Sequence, residues 1–454
     1  MNKKILVLAK LCKGDLSPFD GCALECALSL ENASVAVLAM APPQMEESLA
    51  SLTRLGAKAI LLADPCFAGS DTIATSRILA KAISLLSPDL IFTGRESMDG
   101  NTAQVPLMLS ELTGYSLFQK AMSFDGERFT NRNGDETDLR SEQIITFEKF
   151  RLLRPPSIFS KKGEVERIDN KILGLPPSKI GLLGSPTRVI ATHANTNNRR
   201  LCRFINYDEL DHAIEEGLSK TIGAAPSNAR KGPLVHYVGR LADVASCYGE
   251  EAKEIDLHGL RNTEEIASKI KAIGPKLLLW EECDSIKEIA SKVASVLGQG
   301  LCADCTSVAY DGEKYVLTRP ALGGDVLADI VCISDIAMAT MKAKASQGPD
   351  IAISIGRGAL PHLEKVRLLA KRLNAPIYCS RPLTDNGEFP YSSQVGLTGI
   401  SIAPKVAISI GCSGAIQHIV GIERAGTIIA INIDGKAKTF DYADYGIVMD
   451  AKDL

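Results

Sequence analysis

One stretch constrains this chain more than any other: Val406 to Asp434, reading VAISIGCSGAIQHIVGIERAGTIIAINID. The run Val406–Ile410 is unbroken and β-branched, which suits a strand buried on both faces. Gly411 and Gly414 then allow a sharp turn and a close backbone approach. Ser413 is the expected cap of the helix that follows. The first turn of that helix offers unpaired N–H groups and the positive end of a dipole, which suits a phosphate. His418, one turn on, sets a titratable donor beside whatever is bound. Strand, tight turn and polar-tipped helix together predict a nucleotide site at the carboxyl edge of a parallel sheet.

The same alternation runs through most of the 454 residues, a length that suits about three domains. Strands are expected at Lys4–Lys10, Ser34–Met40, Ala59–Ala63 and Asp89–Thr93. Helices are expected at Cys22–Leu30, Met45–Leu55 and Thr72–Leu86, the last capped by Asp71. Such a βαβ series predicts a parallel twisted sheet with right-handed crossovers. The Asn-Gly and Asp-Gly signals in Asp125–Phe147 argue for antiparallel strands. Residues 155–200 read as irregular, Thr192–Arg200 as a surface connector, Tyr207–Leu218 as a short helix and Lys220–Lys231 as a linker. Alternation restarts at Leu234 and again at Ile351, giving α/β units of about 200, 115 and 105 residues.

Composition narrows the class. A formal charge of -3 gives no global basicity for nucleic acid or an anionic membrane. No apolar run is long enough to span a bilayer. The opening MNKKILVLAKL faintly imitates a signal peptide, but Lys10 interrupts its apolar run and no small-residue cleavage site follows, so a first strand is expected. Twelve cysteines lie scattered on apolar segments, which fits a reducing, cytoplasmic setting. Cys302 and Cys305 form a lone CxxC, and Cys22 and Cys26 lie four apart; without a second CxxC or a histidine pair, these read as buried small residues rather than a metal or redox site.

Polar groups cluster after every strand of the last unit: Gly356-Arg357-Gly358, Ser380-Arg381, Ser413 to His418, Asn432 and Asp434, and Asp450. The loop Ser393 to Gly399 precedes the third strand. Carboxyl ends of parallel strands share one edge, so these groups converge. No nucleophilic triad, metal-ligand set or phosphate-loop lysine stands out, so the chemistry read here is binding, with no catalytic or metal residues assigned. Arginines, a histidine, hydroxyls and amides suit a pyrophosphate and a ring system that gains negative charge on reduction.

These residues also carry a resemblance. GRG, SR, QVGLTG, APKVAISIGCSGAIQH, TIIAINID and ADYGIVMD, covering nearly all of 350–450, are similar to the FAD-binding domain of the electron-transfer flavoprotein alpha subunit. The resemblance implies FAD contacts from Arg357, Ser380 and Arg381, and from Gln394, Val395, Gly396, Thr398 and Gly399 of the QVGLTG loop. It implies others from Ser413, Gly414, Ala415, Ile416, Gln417 and His418, and from Asn432 and Asp450. Arg381 and Thr398 would lie near the flavin ring and His418 near its pyrimidine oxygens, with Arg381 and His418 as positive groups favouring the reduced flavin. Two positions depart from the pattern: Leu397 replaces a glutamine, removing an amide, and Cys412 replaces an isoleucine, read as packing.

Gly300 to Val331, with GLCADCT and TRPALGG, resembles the first domain of the same subunit. Thr340-Met341-Lys342-Ala343 stands where that family often has TVRPG, so an arginine contact is missing. The first unit resembles the beta subunit: GRESMDGNTAQVP (Gly94–Pro106) matches its GRQAIDGDTAQVG, and MAPPQMEESL, FAGSDTIATS and GSPTRV have counterparts. That implies an adenine nucleotide held by Leu8, Ser17, Pro18, Phe19, Asp20, Met40, Gly94, Asp99, Gly100, Asn101, Thr102, Ala103, Gln104 and Val105. Thr72 and Thr75 open a helix whose amino end could hold phosphate. The insertion usual before Ser17-Pro18-Phe19 is very short, and the family's partner-recognition loop is reduced to RPPSIFSKKGEVERI.

The leading expectation is therefore an α/β chain of Rossmann-like parallel sheets in two pseudo-related domains plus a C-terminal flavodoxin-like FAD-binding domain. The division is 1–205 beta-like, 206–232 linker, 233–345 alpha-like and 346–454 FAD-binding, so that alpha–beta pairing is supplied within one chain. The implied function is electron transfer from a flavin dehydrogenase, such as an acyl-CoA dehydrogenase type, to a quinone- or ferredoxin-linked acceptor, with a swivel near Ala343–Pro349. The beta-like site would hold AMP, or a second FAD if the protein bifurcates electrons from NADH. Rivals from other classes are an adenine-nucleotide enzyme, which would need a Gly-rich ATP loop such as SGGxDS that is not found, and a flavin-free adaptor, against which the intact SGAIQH argues.

Overall fold

The computed structural model describes the chain apart from residues 1–2, 13, 98, 132, 195–198, 220–229, 261, 322–325, 344–348 and 397–398. Most of the expected Lys220–Lys231 linker and of the Ala343–Pro349 connector, together with Thr398 and Leu397, lies outside the described residues. The chain gathers into two compact units, residues 1–192, 229–322 and 328–343 in one and 193–228, 323–327 and 344–454 in the other.

The first unit begins with a nine-stranded sheet. Its strands are β1 (Lys3–Ala9), β2 (Ala33–Met40), β3 (Lys58–Leu62), β4 (Leu90–Gly94), β5 (Ser116–Phe124), β6 (Arg128–Asn131), β7 (Glu136–Asp138), β8 (Gln143–Phe147) and β9 (Val165–Ile168). They lie in the order β9-β3-β2-β1-β4-β8-β5-β6-β7. Pairing is parallel from β9 to β5 and antiparallel only at β6 and β7. The period-2 alternation of β1 serves two cores. Ile5 and Val7 pack with Cys22, Ala23 and Leu24 of α1 (Pro18–Leu28). Leu6 and Leu8 pack with Ile78, Leu79 and Ala82 of α2 (Thr72–Leu86). As expected, Cys22 and Cys26 are buried, as are Cys302 and Cys305.

Two expectations need correction here. The Asp125–Phe147 stretch is antiparallel only in part, because β8 inserts between β4 and β5 in parallel register. All five of its residues are buried, and a run buried on both faces belongs inside a sheet, not at a hairpin edge. The region 155–200 also contains regular structure: β9 pairs with β3, and Thr187–Ala194 is a strand. Both are mostly exposed, so no burial pattern announces them.

A second sheet in this unit is wholly parallel. It comprises β10 (Val235–Val238), β11 (Lys253–Glu254), β12 (Leu277–Glu281), β13 (Leu301–Cys305) and β15 (Ala337–Met341), ordered β11-β10-β12-β15-β13, while β14 (Tyr315–Ala321) pairs with Ser307–Tyr310. Trp280 and Leu278 share a core with Ile73 of α2 and with Met108 of α3 (Val105–Thr113).

The second unit is one six-stranded parallel sheet: Arg203–Phe204, then β20 (Tyr445–Val448), β19 (Thr427–Asn432), β18 (Val406–Ile410), β16 (Ile351–Ile355) and β17 (Ile377–Cys379). The helix Leu210–Ser219 packs on it, with Leu210, Ala213 and Ile214 in the core beside Ile353 and Ile408. Chain order reverses between β16 and β18, which makes their carboxyl ends the crevice of the sheet.

Phe92, fully buried, meets Phe147 at 4.9 Å and Phe129 at 5.7 Å between ring centroids. Phe92→Ala should destabilise the first unit by roughly 3–5 kcal/mol, read as a lower denaturant midpoint for that unit's transition; a loss below about 1 kcal/mol would contradict this packing.

Candidate functional site

The first unit holds a cavity of about 330 Å³ at the carboxyl ends of β1, β2 and β4. Among its lining residues are Leu8, Asp20, Met40, Gly94, Gly100, Thr102, Ala103, Gln104 and Val105. Thr72 and Thr75 of α2 also line it, and so do Glu96, Asp71, which the sequence marked only as a helix cap, and Lys10 and Thr93, which it did not assign to a site. Apolar walls from Leu8, Leu38, Met40 and Leu79 suit a ring, and the rim is polar.

Asp20 is the buried anchor. Its carboxylate accepts the Gly94 amide at 2.8 Å and the Lys10 amide at 3.1 Å. Burial outweighs those two bonds and pushes its pKa up to about 7. Gly94 must be glycine, because a Cβ there would sit 2.5 Å from Asp20 Oδ1 and 2.7 Å from Phe19 Cβ. Ser17 caps α1 by accepting the Phe19 amide, Pro18 occupies its first turn, and Phe19 lies under the Arg95 guanidinium at 5.1 Å. These three therefore build the wall behind Asp20 and are not among the lining residues. Asp99 pairs with Lys10 at 2.7 Å.

The loop that follows β4 is strained in a specific way. Asn101 has φ +49° and Ala103 φ +54°, both left-handed. Alternating conformations of this kind turn successive amides toward one point. No acceptor among the described residues takes the amides of Thr102, Ala103 or Gln104, and the buried Asn101 Oδ1 and Gln104 Oε1 also lack partners. The other expected phosphate position fails. At the amino end of α2 the Asp71 carboxylate already accepts the Ile73 and Ala74 amides at 3.0 Å, along with the Thr187 amide and hydroxyl. An anion placed there would meet a carboxylate.

In the second unit, the loops after β16 and β18 touch through backbone. The Gly356 amide donates to the Ile410 carbonyl at 2.9 Å and the Gly358 amide to the Gly411 carbonyl at 3.2 Å. A side chain on Gly411 or Gly414, at φ +64° and +82°, would strike the backbone of Gly358–Ala359 or Lys438–Thr439. The helix Ile416–Ile422 is capped at Ala415 rather than Ser413, and no side chain bonds its end. Gly411's left-handed turn carries Ser413 outward before the helix begins, so Ser413, Ala415 and Gln417 are exposed while Gly414, Ile416 and His418 are buried. From Ser413 through Gln417 no backbone amide has an acceptor among the described residues. Five consecutive free amides beside a sheet crevice fit a diphosphate.

The remaining expected residues fall around that crevice. Arg357 is exposed at the end of β16. Ser380 precedes the short helix Arg381–Asp385, and Arg381 Nε donates to Asp385 at 3.2 Å. Gln394 is buried and accepts the Thr384 hydroxyl at 2.9 Å. Val395 lies in the core, pairs with Ile400, and donates to the Cys379 carbonyl; a Cβ on Gly396 or Gly399 would strike backbone. Asn432 Nδ2 donates to the Cys412 carbonyl at 2.7 Å, which fastens the end of β19 to the turn after β18. Asp450 accepts the Lys452 amide and lies 3.5 Å from His362.

His418 differs from its expected charge. It is buried, with Nε2 at 3.1 Å from the Ser354 hydroxyl and 3.5 Å from Cys412 Sγ. Nδ1 is buried without a hydrogen-bond partner among the described residues. Burial lowers its pKa from 6.5 to about 4, so the ring is neutral at pH 7. Cys412 is thus more than packing, since its thiol touches the imidazole.

Comparison with known proteins gives two family matches. Residues 347–423 match the electron transfer flavoprotein FAD-binding domain. Residues 5–136 and 260–356 match the electron transfer flavoprotein domain. The chain is 30% identical over 236 residues to protein FixB of Rhizobium meliloti (strain 1021), covering 42% of this chain and 67% of that protein. It is 32% identical over 231 residues to the electron transfer flavoprotein subunit alpha of Thermoanaerobacterium thermosaccharolyticum, covering 41% and 70%. It is 30% identical over 250 residues to the acryloyl-CoA reductase electron transfer subunit beta of Anaerotignum propionicum, covering 39% and 68%. No helix among the described residues is long and apolar enough to cross a membrane.

The depressed pKa of His418 has a consequence for stability. The unfolded chain takes up the proton first as pH falls, so the stabilisation from the neutral buried ring is complete above about pH 6.5 and is lost toward pH 4. Between pH 7 and pH 5 the second unit should lose about 2 kcal/mol through this group. His418→Gln should flatten that slope in denaturant titrations at the two pH values; an unchanged slope would show that the histidine is not buried neutral.

Proposed function

Since the chain belongs to the electron-transfer flavoprotein family and is an electron carrier of that kind, we propose that FAD lies along the carboxyl edge of β16 and β18. One observation carries this reading: the free amides of Ser413–Gln417, set beside the glycine contact of the two loops. Bound FAD would accept electrons and pass them on. The chain's residues would do the rest. The Ser413–Gln417 amides would hold the diphosphate. Arg381 would place positive charge near the ring, and Ser380, Arg357, Asn432, Asp450 and the Gln394–Gly399 loop would fix its position. Neutral His418 would offer a hydrogen bond and no charge.

In the first unit we infer an adenine nucleotide, either AMP or the adenine end of a second FAD. Leu8, Met40 and Leu79 would hold the base, and the Thr102–Gln104 amides a phosphate. The double match to one domain family, at 5–136 and 260–356, supports beta-like and alpha-like parts joined in a single chain. The expected division into 1–205, 206–232, 233–345 and 346–454 is amended at one place, since Arg203–Phe204 and the helix Leu210–Ser219 belong with the C-terminal unit rather than with a beta-like part and a linker. Electrons would arrive from a flavin dehydrogenase and leave to a quinone- or ferredoxin-linked acceptor. A second FAD would make NADH oxidation with bifurcation the alternative.

Purified protein should release one FAD and one AMP per chain, or two FAD if the alternative holds, measured by absorbance and chromatography; a colourless protein that does not take up added FAD would overturn the proposal. Arg381→Ala should lower the flavin midpoint potential by about 30 mV or more, equivalent to about 1.4 kcal/mol for a two-electron couple. An unmoved midpoint would remove Arg381 from the flavin's surroundings.

A further inference from the structure

The nucleotide loop after β4 is held from a part of the sequence far away. Arg319, on β14 and 6% exposed, donates through Nη1 to the Gly100 carbonyl at 2.8 Å, and its Nη2 lies 3.5 Å from the Asn101 carbonyl. Gln104, fully buried, donates through Nε2 to the Leu301 carbonyl at 3.4 Å, while its Oε1 has no partner. We propose that Arg319 is the positioning residue of the adenine-nucleotide site, drawing the Gly100 and Asn101 carbonyls to one side so that the Thr102–Gln104 amides face a phosphate on the other.

The reason is the planarity of the trans peptide. A carbonyl and the amide that follows it point in opposite directions, so fixing the Asn101 carbonyl on the guanidinium turns the Thr102 amide away from it. Thr102, Ala103 and Gln104 line the cavity, whereas Arg319 does not. The left-handed backbone at Asn101 and Ala103 is costly for residues with a Cβ and needs an external hold. Arg319 supplies one, with a forked donor reaching two successive carbonyls. Arg319 also acts on a buried charged cluster. Lys287 lies 2.8 Å from Glu282 and 3.3 Å from Asp304, and burial of Asp304 is overcome by Lys287 and Arg319, which hold that carboxyl below its usual range. A buried guanidinium behind the loop also favours an anion in front of it.

This inference rests on the nucleotide reading of the cavity, and the test separates the two. Binding of AMP and of adenosine to the full chain, stripped of nucleotide, is measured by calorimetry for wild type, Arg319→Lys and Arg319→Gln, together with the melting temperature of each protein without ligand. Wild type should prefer AMP to adenosine. Arg319→Gln should weaken AMP by roughly tenfold or more and leave adenosine within about twofold, since the loop amides serve the phosphate alone. Arg319→Lys, with one point donor, should recover part of the loss. If Arg319→Gln does not fold, the selective loss of AMP affinity in Arg319→Lys decides. Equal weakening of both ligands, or unchanged AMP binding in the variants, would overturn the positioning role and leave the nucleotide site standing. Failure of wild type to bind AMP, adenosine or FAD in this cavity would overturn both.

Discussion

Strands with no solvent on either face dictate where this chain can do chemistry. All five residues of β18 are buried, and β1 feeds one core with Ile5 and Val7 and another with Leu6 and Leu8. Within such strands every amide and carbonyl is used by the parallel ladder. The first free backbone donors therefore occur where a strand ends, after Gly94 in the first unit and after Gly411 in the second. Both candidate sites are consequences of that exhaustion of polar groups inside the sheets.

Close backbone contact converts those free donors into shaped sites. In the second unit Gly356, Gly411 and Gly414 bring loop against loop with no side chain between them. In the first, Gly94 lets Asp20 reach the end of β4, and the left-handed Asn101 and Ala103 fold the next residues back over the cavity. Ionisable groups are handled differently in the two places. His418 is kept neutral by burial against Ser354 and Cys412, whereas Arg381 remains half-buried and cationic beside Asp385. Under the proposed function, polyanions would be held mainly by amides and one or two arginines, which cost less to desolvate than a dense cluster of charge.

Elements with a strong local signal were legible. The helix Thr72–Leu86 with its Asp71 cap and the strand Val406–Ile410 stand where periodicity and capping chemistry place them. The misses share a physical cause. β9 and Thr187–Ala194 are short or solvent-exposed and depend on a partner strand for definition. Ser413 has the right chemistry for a cap, but the Gly411 turn moves the helix start to Ala415. Asp71 was recognised as a cap, and the consequence that it closes that terminus to phosphate needed its hydrogen bonds.

The sequence by itself determined the alternation of buried strands and helices, the polar turns at strand ends and the membership of a flavoprotein family, because these depend on residues near one another along the chain. Only the tertiary structure decided which turns converge and which groups are charged there. Arg319 and the loop it grips lie 219 positions apart, and nothing local marks them as partners. The neutrality of His418 and the raised pKa of Asp20 likewise come from what packs around them. Desolvation and long-range hydrogen bonds are properties of the folded neighbourhood, and no local pattern of residues encodes them.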